Sequence, residues 1–287
     1  MRNVNRLTAA LAAASLILVI SGCDKLKSRD HINKGVADFK VNRFADAVEH
    51  FKTAIQLDPT NPNARLYLAT AYMQQWIPGA ESPDNIRMAT QAKEEFLKVL
   101  ETDPGEKTAL ASLASLAYNQ ATSLPTDKKL QMFDEAAQWY HKLIDVDKAK
   151  PEGSFSKEAY YSLGVIAWAK WYPAIMTARA TAHMRPEDPG PLKDKKAKEE
   201  LRTQYSGIVD EGIQNLQKAL DIDKEYEDAM SYMSLLIRER ADLLDNPDEY
   251  KKQIDLADSY VQKALETKKI KAARQPTTGG IVAEESK

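Results

Sequence analysis

A single cysteine, Cys23, stands in a chain of 287 residues that also holds only 11 Gly, 13 Pro, four histidines and 8% aromatic residues. One cysteine excludes a disulfide framework, a Cys-ligated zinc site and a cysteine nucleophile in the folded body. So little Gly and Pro excludes collagen-like and low-complexity classes. Charge of one sign is missing too: 40 Lys and Arg against 42 Asp and Glu give a net charge of −2, too balanced for an electrostatic footprint on nucleic acid or an anionic membrane. What is present is 43% hydrophobic and 29% charged residues, enough for a sizeable core under a dense charged coat, in a soluble and helix-rich chain.

The only long apolar run, Leu7 to Ile20, follows Arg2 and Arg6 and leads into Ser21-Gly22. That is the layout of a secretory signal, and about fourteen residues are too few to span a hydrocarbon core that needs about twenty. Ile20-Ser21-Gly22-Cys23 resembles the bacterial lipobox, which implies cleavage before Cys23 and acylation of its thiol. Residues 1–22 are then a removed signal and 23–29 a linker. The mature chain keeps 38 basic against 42 acidic side chains. Several acyl chains would hold it on a membrane almost permanently. Asp24 resembles an inner-membrane retention signal of some enteric bacteria that other lineages ignore, so inner and outer membrane both stay open.

The body repeats. In FADAVEHFKTAIQLDP, Ala47, Phe51 and Ala54 mark one helical face, closed by Pro59. The same spacing recurs at Ala92, Phe96 and Val99; Ala136, Tyr140 and Leu143; Gly212, Leu216 and Ala219; and Ala257, Val261 and Ala264. A second helix precedes each copy after the first, through Leu68-Ala69, Leu113-Ala114, Leu163-Gly164 and Met233-Ser234. These paired signatures resemble the tetratricopeptide repeat over about residues 28–267. The first copy departs at Lys34 and Asp38, so its first helix is expected to pack loosely. The central small residues recur at intervals of 45, 44, 76 and 45 rather than the family's 34. A period near 45 also suits HEAT or armadillo arrays, against which the small–aromatic–small helix ending in Asp-Pro argues. Ser82-Pro83, Thr126-Asp127 and Asn246-Pro247 place caps that start the second helices two or three turns early. The expected fold is all-α, a superhelical solenoid of about five enlarged hairpins over residues 30–267. A long insertion, read as a longer hairpin or an extra helical pair, sits at about 170–208, and a disordered tail at 268–287. Trp171, Tyr172, Ile175 and Met176 make that insertion either a variable surface segment or a partner- or membrane-facing flap.

Catalytic chemistry is missing. His31, His50, His141 and His183 are far apart in sequence, so no zinc site is expected. Ser154-x-x-Lys157 lacks the companion motifs of penicillin-binding enzymes, and Ser154 or Ser156 reads better as a helix cap. No cofactor and no metal are expected, and no enzyme. The resemblance instead implies a concave face, lined by the first helix of each pair, that holds a peptide or helix. By correspondence that face collects Phe39, Asn63, Thr70, Met73, Tyr118, Tyr161, Trp168 and Arg238, with Leu66, Thr108, Ser115 and Val165 beside them. It lacks the Lys-x-x-x-Asn basic clamp with which some cytosolic relatives grip a chaperone's C-terminal carboxylate. The expected role is a non-enzymatic, lipid-anchored scaffold for envelope proteins, facing the periplasm through Cys23, in envelope or pilus assembly. A cell-wall glycan- or small-ligand-binding lipoprotein, using the aromatics of repeat four, is the alternative.

Overall fold

The computed structural model describes residues 23–122, 124–149 and 155–274; residues 1–22, including the signal and three of the four lipobox positions, lie outside that description, as do Ser154 and residues 275–287. The described residues are helical throughout, without a strand. Helix α1 covers residues 23–40. It is followed by α2 (Phe44–Leu57), α3 (Pro62–Gln75), α4 (Pro83–Thr102), α5 (Lys107–Ala121) and α6 (Thr126–Ala149). Next come α7 (Phe155–Thr181), α8 (Lys195–Ile222), α9 (Glu227–Ala241) and α10 (Pro247–Arg274). They form five consecutive helix pairs in two compact units that divide after Val146. No described helix is long and apolar enough to cross a membrane.

In the first unit α2 packs on α3, and α3 on α4. The repeated spacing supplies the core: Ala47, Phe51 and Ala54, then Ala92 and Phe96, are all at most 1% exposed. Loose packing of α1 is not what the structure has. Gly35 lies where a Cβ would stand 2.6 Å from the Phe51 ring, so a glycine lets the two helices close, while Asp38 is buried and accepts from Arg43. The expected linker at 23–29 is helix instead. Ser28 is buried and its hydroxyl donates to the Ala54 carbonyl at 2.9 Å, so the helix is docked almost from its first turn. The added turns begin where the caps place them. Ser82 Oγ accepts from Asn85 N before α4, and Asn246 Oδ1 from Asp248 N and Glu249 N before α10. Buried Asn85 then seals the α3–α4 loop, accepting from Ile77 N and donating to the carbonyls of Ile77 and Ala80.

In the second unit α7 packs on α8 and α9, and α9 on α8 and α10. Two glycines set the α7–α8 approach. A Cβ on Gly164 would meet Leu216 Cγ at 2.4 Å, and one on Gly212 would meet Ala167 Cβ at 2.5 Å. The insertion at 170–208 is a longer hairpin, not an extra helical pair. α7 continues through Pro173 to Thr181, α8 begins at Lys195, and only the loop between them is irregular. Burial overrides the proline: Trp171 and Ile175, on either side of it, are 0% exposed. The loop is stitched down by Leu192, which is fully buried, by Tyr250 Oη accepting from Gly190 N at 2.9 Å, and by Leu192 N donating to the Asp242 carbonyl at 3.0 Å. The tail boundary moves as well. α10 runs to Arg274, its last turns held by Lys271 on Glu227 and Arg274 on Glu225, so residues 268–274 are helix. Val261, in the position buried in the earlier copies, is 38% exposed on α10, the last described helix.

Candidate functional site

The first helices of the pairs in the first unit, α1, α3 and α5, line a groove of about 500 Å³. Phe39 and Val36 come from α1, Leu66, Tyr67 and Thr70 from α3, and Thr108 from the first turn of α5, with Phe51 at the floor. The spacing explains the convergence: Leu66 and Thr70 are four apart and share a face, as are Val36 and Phe39, three apart. The Thr70 hydroxyl is spent on the Leu66 carbonyl at 2.8 Å, so the groove wall is mainly apolar. Phe39 and Thr70, with Leu66 and Thr108, are thus brought together at one groove.

Of the remaining expected residues, Asn63 and Met73 lie on α3, Tyr118 on α5, and Arg238 on α9 of the second unit. Met73 is partly buried against the first unit's core, and Asn63 is exposed in the first turn of α3, its N–H donating to the Asn61 cap. Tyr118 stacks on Phe133 with centroids 5.6 Å apart. Arg238 pairs with Asp258 of α10.

Tyr161 and Trp168 belong to a second feature, a row of aromatic rings on α7, on α9 and at the residue before α9, within the second unit. Centroid separations are 5.0 Å for Tyr226–Tyr161, 5.8 Å for Tyr161–Tyr232, 5.6 Å for Tyr232–Trp168 and 4.8 Å for Trp168–Tyr172. All five rings are partly exposed. Lys157 Nζ stands 4.8 Å over the Tyr226 centroid and bonds Asp223 at 3.2 Å, so the lysine of the Ser-x-x-Lys motif is engaged in an ion pair. Ser156 is not the cap expected: its N–H and hydroxyl both donate to Asp147, which serves the α7 end instead. Burial, and then the carboxylates Glu158 and Asp228, push the Tyr226 hydroxyl well above its ordinary range; burial and Asp228 raise Tyr232. Trp171, grouped in sequence with these rings, is buried in the core rather than part of the row. Tyr226 and Tyr232 carry no signal in the repeat correspondence, and only the fold reveals them.

Behind the row lies a buried polar node. Trp168 Nε1 donates to Glu239 Oε1 at 3.1 Å, and Glu239 Oε2 is buried with no partner among the described residues. Burial pushes Glu239 up to about 7, against the lowering effect of the Trp168 bond. Arg179 pairs with buried Asp242 and also donates to the carbonyls of Arg185 and Asp188 across the loop. Burial holds Asp242 above the usual carboxylate range even so. The node has no exposed nucleophile beside a base, and it reads as structural.

The histidines are not all apart. His31 and His50 bring their Nδ1 atoms to 3.1 Å across α1 and α2, with Asp38 Oδ2 3.5 Å from His50 Nε2. Among the described residues no group of three or more His, Cys, Asp or Glu is placed to hold a metal ion.

Residues 35–75, which span the end of α1, α2 and α3, match the family model described as the TPR repeat. Solved structures with similar backbones include a crystal structure of MamA, 18% identical, covering 87% of this chain and 96% of that one with a TM-score of 0.48. A second, MamA from Desulfovibrio magneticus RS-1, is 16% identical over 85% and 96% of the two chains, with a TM-score of 0.48. YrrB, titled a TPR protein with an unusual peptide-binding site, is 17% identical over 83% and 90%, with a TM-score of 0.41. No curated protein matches the sequence.

Proposed function

We propose that this chain is a non-enzymatic scaffold of tetratricopeptide type that binds proteins through the inner helices of its pairs, and that it works at a bacterial membrane, anchored by a lipid on Cys23. The observation that carries the binding role is the groove of α1, α3 and α5. An apolar cleft of about 500 Å³, with Phe39 and Leu66 as walls and Thr108 exposed at its rim, offers a pocket for a bulky apolar anchor of a peptide or helix. The match to the TPR repeat over residues 35–75 takes in the end of α1 and all of α3, two of the three helices that line this cleft. The anchor rests on the sequence alone: a signal-like segment ends at the one cysteine of the chain, which is exposed. A periplasm-facing position and partners among envelope or pilus assembly proteins follow from that reading.

A photoreactive amino acid placed at Thr70 or Thr108 tests the groove. Adducts to a partner protein should form in membranes at both positions, and vanish when Phe39→Ala is added. The same label at Gln56, on the exposed side of α2, should give none. Equal labelling at all three positions would remove the groove assignment.

A further inference from the structure

We infer that the aromatic row of the second unit, Tyr226, Tyr161, Tyr232, Trp168 and Tyr172, is a docking surface for an extended, basic segment of a partner protein, whose arginine or lysine side chains lie on the ring faces. The inference rests on the scaffold reading above and gives the partner's chemistry. Three observations carry it.

The rings form one continuous series with every step between neighbours under 6 Å, and each stays partly exposed. Partly exposed rings in series suit repeated cationic side chains, each attracted within about 6 Å of a centroid. An extended segment of about six residues covers a row of that length. One cation already sits there: Lys157 Nζ, 4.8 Å over Tyr226, shows that the ring environment takes a charged nitrogen.

Charge supplies the sign of the partner. At the Tyr226 end the single amine of Lys157 faces two carboxylates, Glu158 at 3.3 Å and Asp223 at 3.2 Å. Asp228, exposed one turn from Tyr232, has no ion-pair partner among the described residues, while Glu227 and Glu225 are taken by Lys271 and Arg274. The surplus is negative beside exposed rings. A phosphate backbone or an acidic peptide would be repelled, and a neutral glycan would leave the carboxylates unused.

The probe is a fluorescent ten-residue peptide alternating arginine and glycine, with a second peptide carrying neutral citrulline in place of arginine. Anisotropy against the chain from residue 23 should show the arginine peptide binding at least tenfold tighter. Asp228→Asn, an exposed change that spares the fold, and Tyr232→Leu, which keeps volume and removes the ring, should each weaken it at least fivefold. Gln56→Ala, on the exposed side of α2 in the other unit, should leave it unchanged. Equal binding of the two peptides, or undiminished binding by both second-unit variants, overturns the inference. If the arginine peptide fails while Thr70 and Thr108 still label a partner, the basic-segment inference falls and the scaffold stands. Loss of that labelling with peptide binding intact removes the groove reading instead.

Discussion

Glu239 is the residue whose ionisation the fold resists most visibly. Its folded pKa of about 7 lies above the ordinary 4.5, so the folded state binds the proton more tightly than the unfolded chain. The stabilisation is therefore complete below about pH 4.5 and is lost as pH rises through about 7. The shift corresponds to at most about 3 kcal/mol between those limits, at 1.36 kcal/mol per unit. Asp242, raised by burial, adds a slope of the same sign. Urea unfolding at pH 5 and pH 8 should show the wild type losing more stability than Glu239→Gln, which keeps an acceptor for Trp168; identical profiles would contradict this. Arg179 is the complementary case. Its removal leaves Asp242 buried without its cation and releases two loop carbonyls, so Arg179→Ala should cost about 3–5 kcal/mol. Trypsin should then cut faster at Arg185 and Lys193, and unchanged cleavage would show that the loop is held otherwise.

Helices in this chain are positioned by small residues and caps, and the two can be separated within one helix. Gly207 and Gly212 both lie in α8, but a Cβ on Gly207 would meet nothing within 4 Å, whereas on Gly212 it would strike Ala167. Gly207→Ala should therefore stabilise by roughly 0.5–1 kcal/mol through helix propensity, and Gly212→Ala should destabilise. Thermal melting that moved both variants the same way would break this account. Ser82→Ala should cost about 1 kcal/mol by removing the α4 cap. These features were readable in the sequence, because a cap and a close-packed small residue leave local marks at fixed spacing: Ala47, Phe51 and Ala54 announce α2, and Ser82-Pro83 announces the early start of α4. The loop between α7 and α8 left no such mark. Its closure depends on Arg179 finding Asp242, 63 residues on, and on Tyr250 reaching Gly190, and no short-range pattern encodes either. Likewise Phe39, Leu66, Thr70 and Thr108 could be placed by repeat correspondence, whereas Tyr226 precedes α9 and Tyr232 lies outside that correspondence, so their meeting with Tyr161 needed the fold.

Across the molecule, repetition of one helix pair explains why a chain without disulfides or a described metal cluster can order so much of its length. Within each unit the pairs bury their small-residue faces against one another, and the enlarged period adds turns without changing which face is buried. The proposed anchor can be examined at this scale. Cys23→Ser should move the protein from the detergent phase to the aqueous phase on phase separation of cell extracts, with its melting temperature unchanged. Retention in the detergent phase would exclude Cys23 as the attachment point. The way α1 begins gives that attachment a mechanical meaning. Ser28 lies only five positions after Cys23, about 7–8 Å of helix, and is fastened to Ala54 of the neighbouring helix. A lipid at Cys23 would join the bilayer to the first pair through a stiff, short mount with no tether to pay out. The groove of the first unit, whose Val36 and Phe39 lie about 20–24 Å of helix beyond Cys23, would then be held at a fixed reach from that attachment.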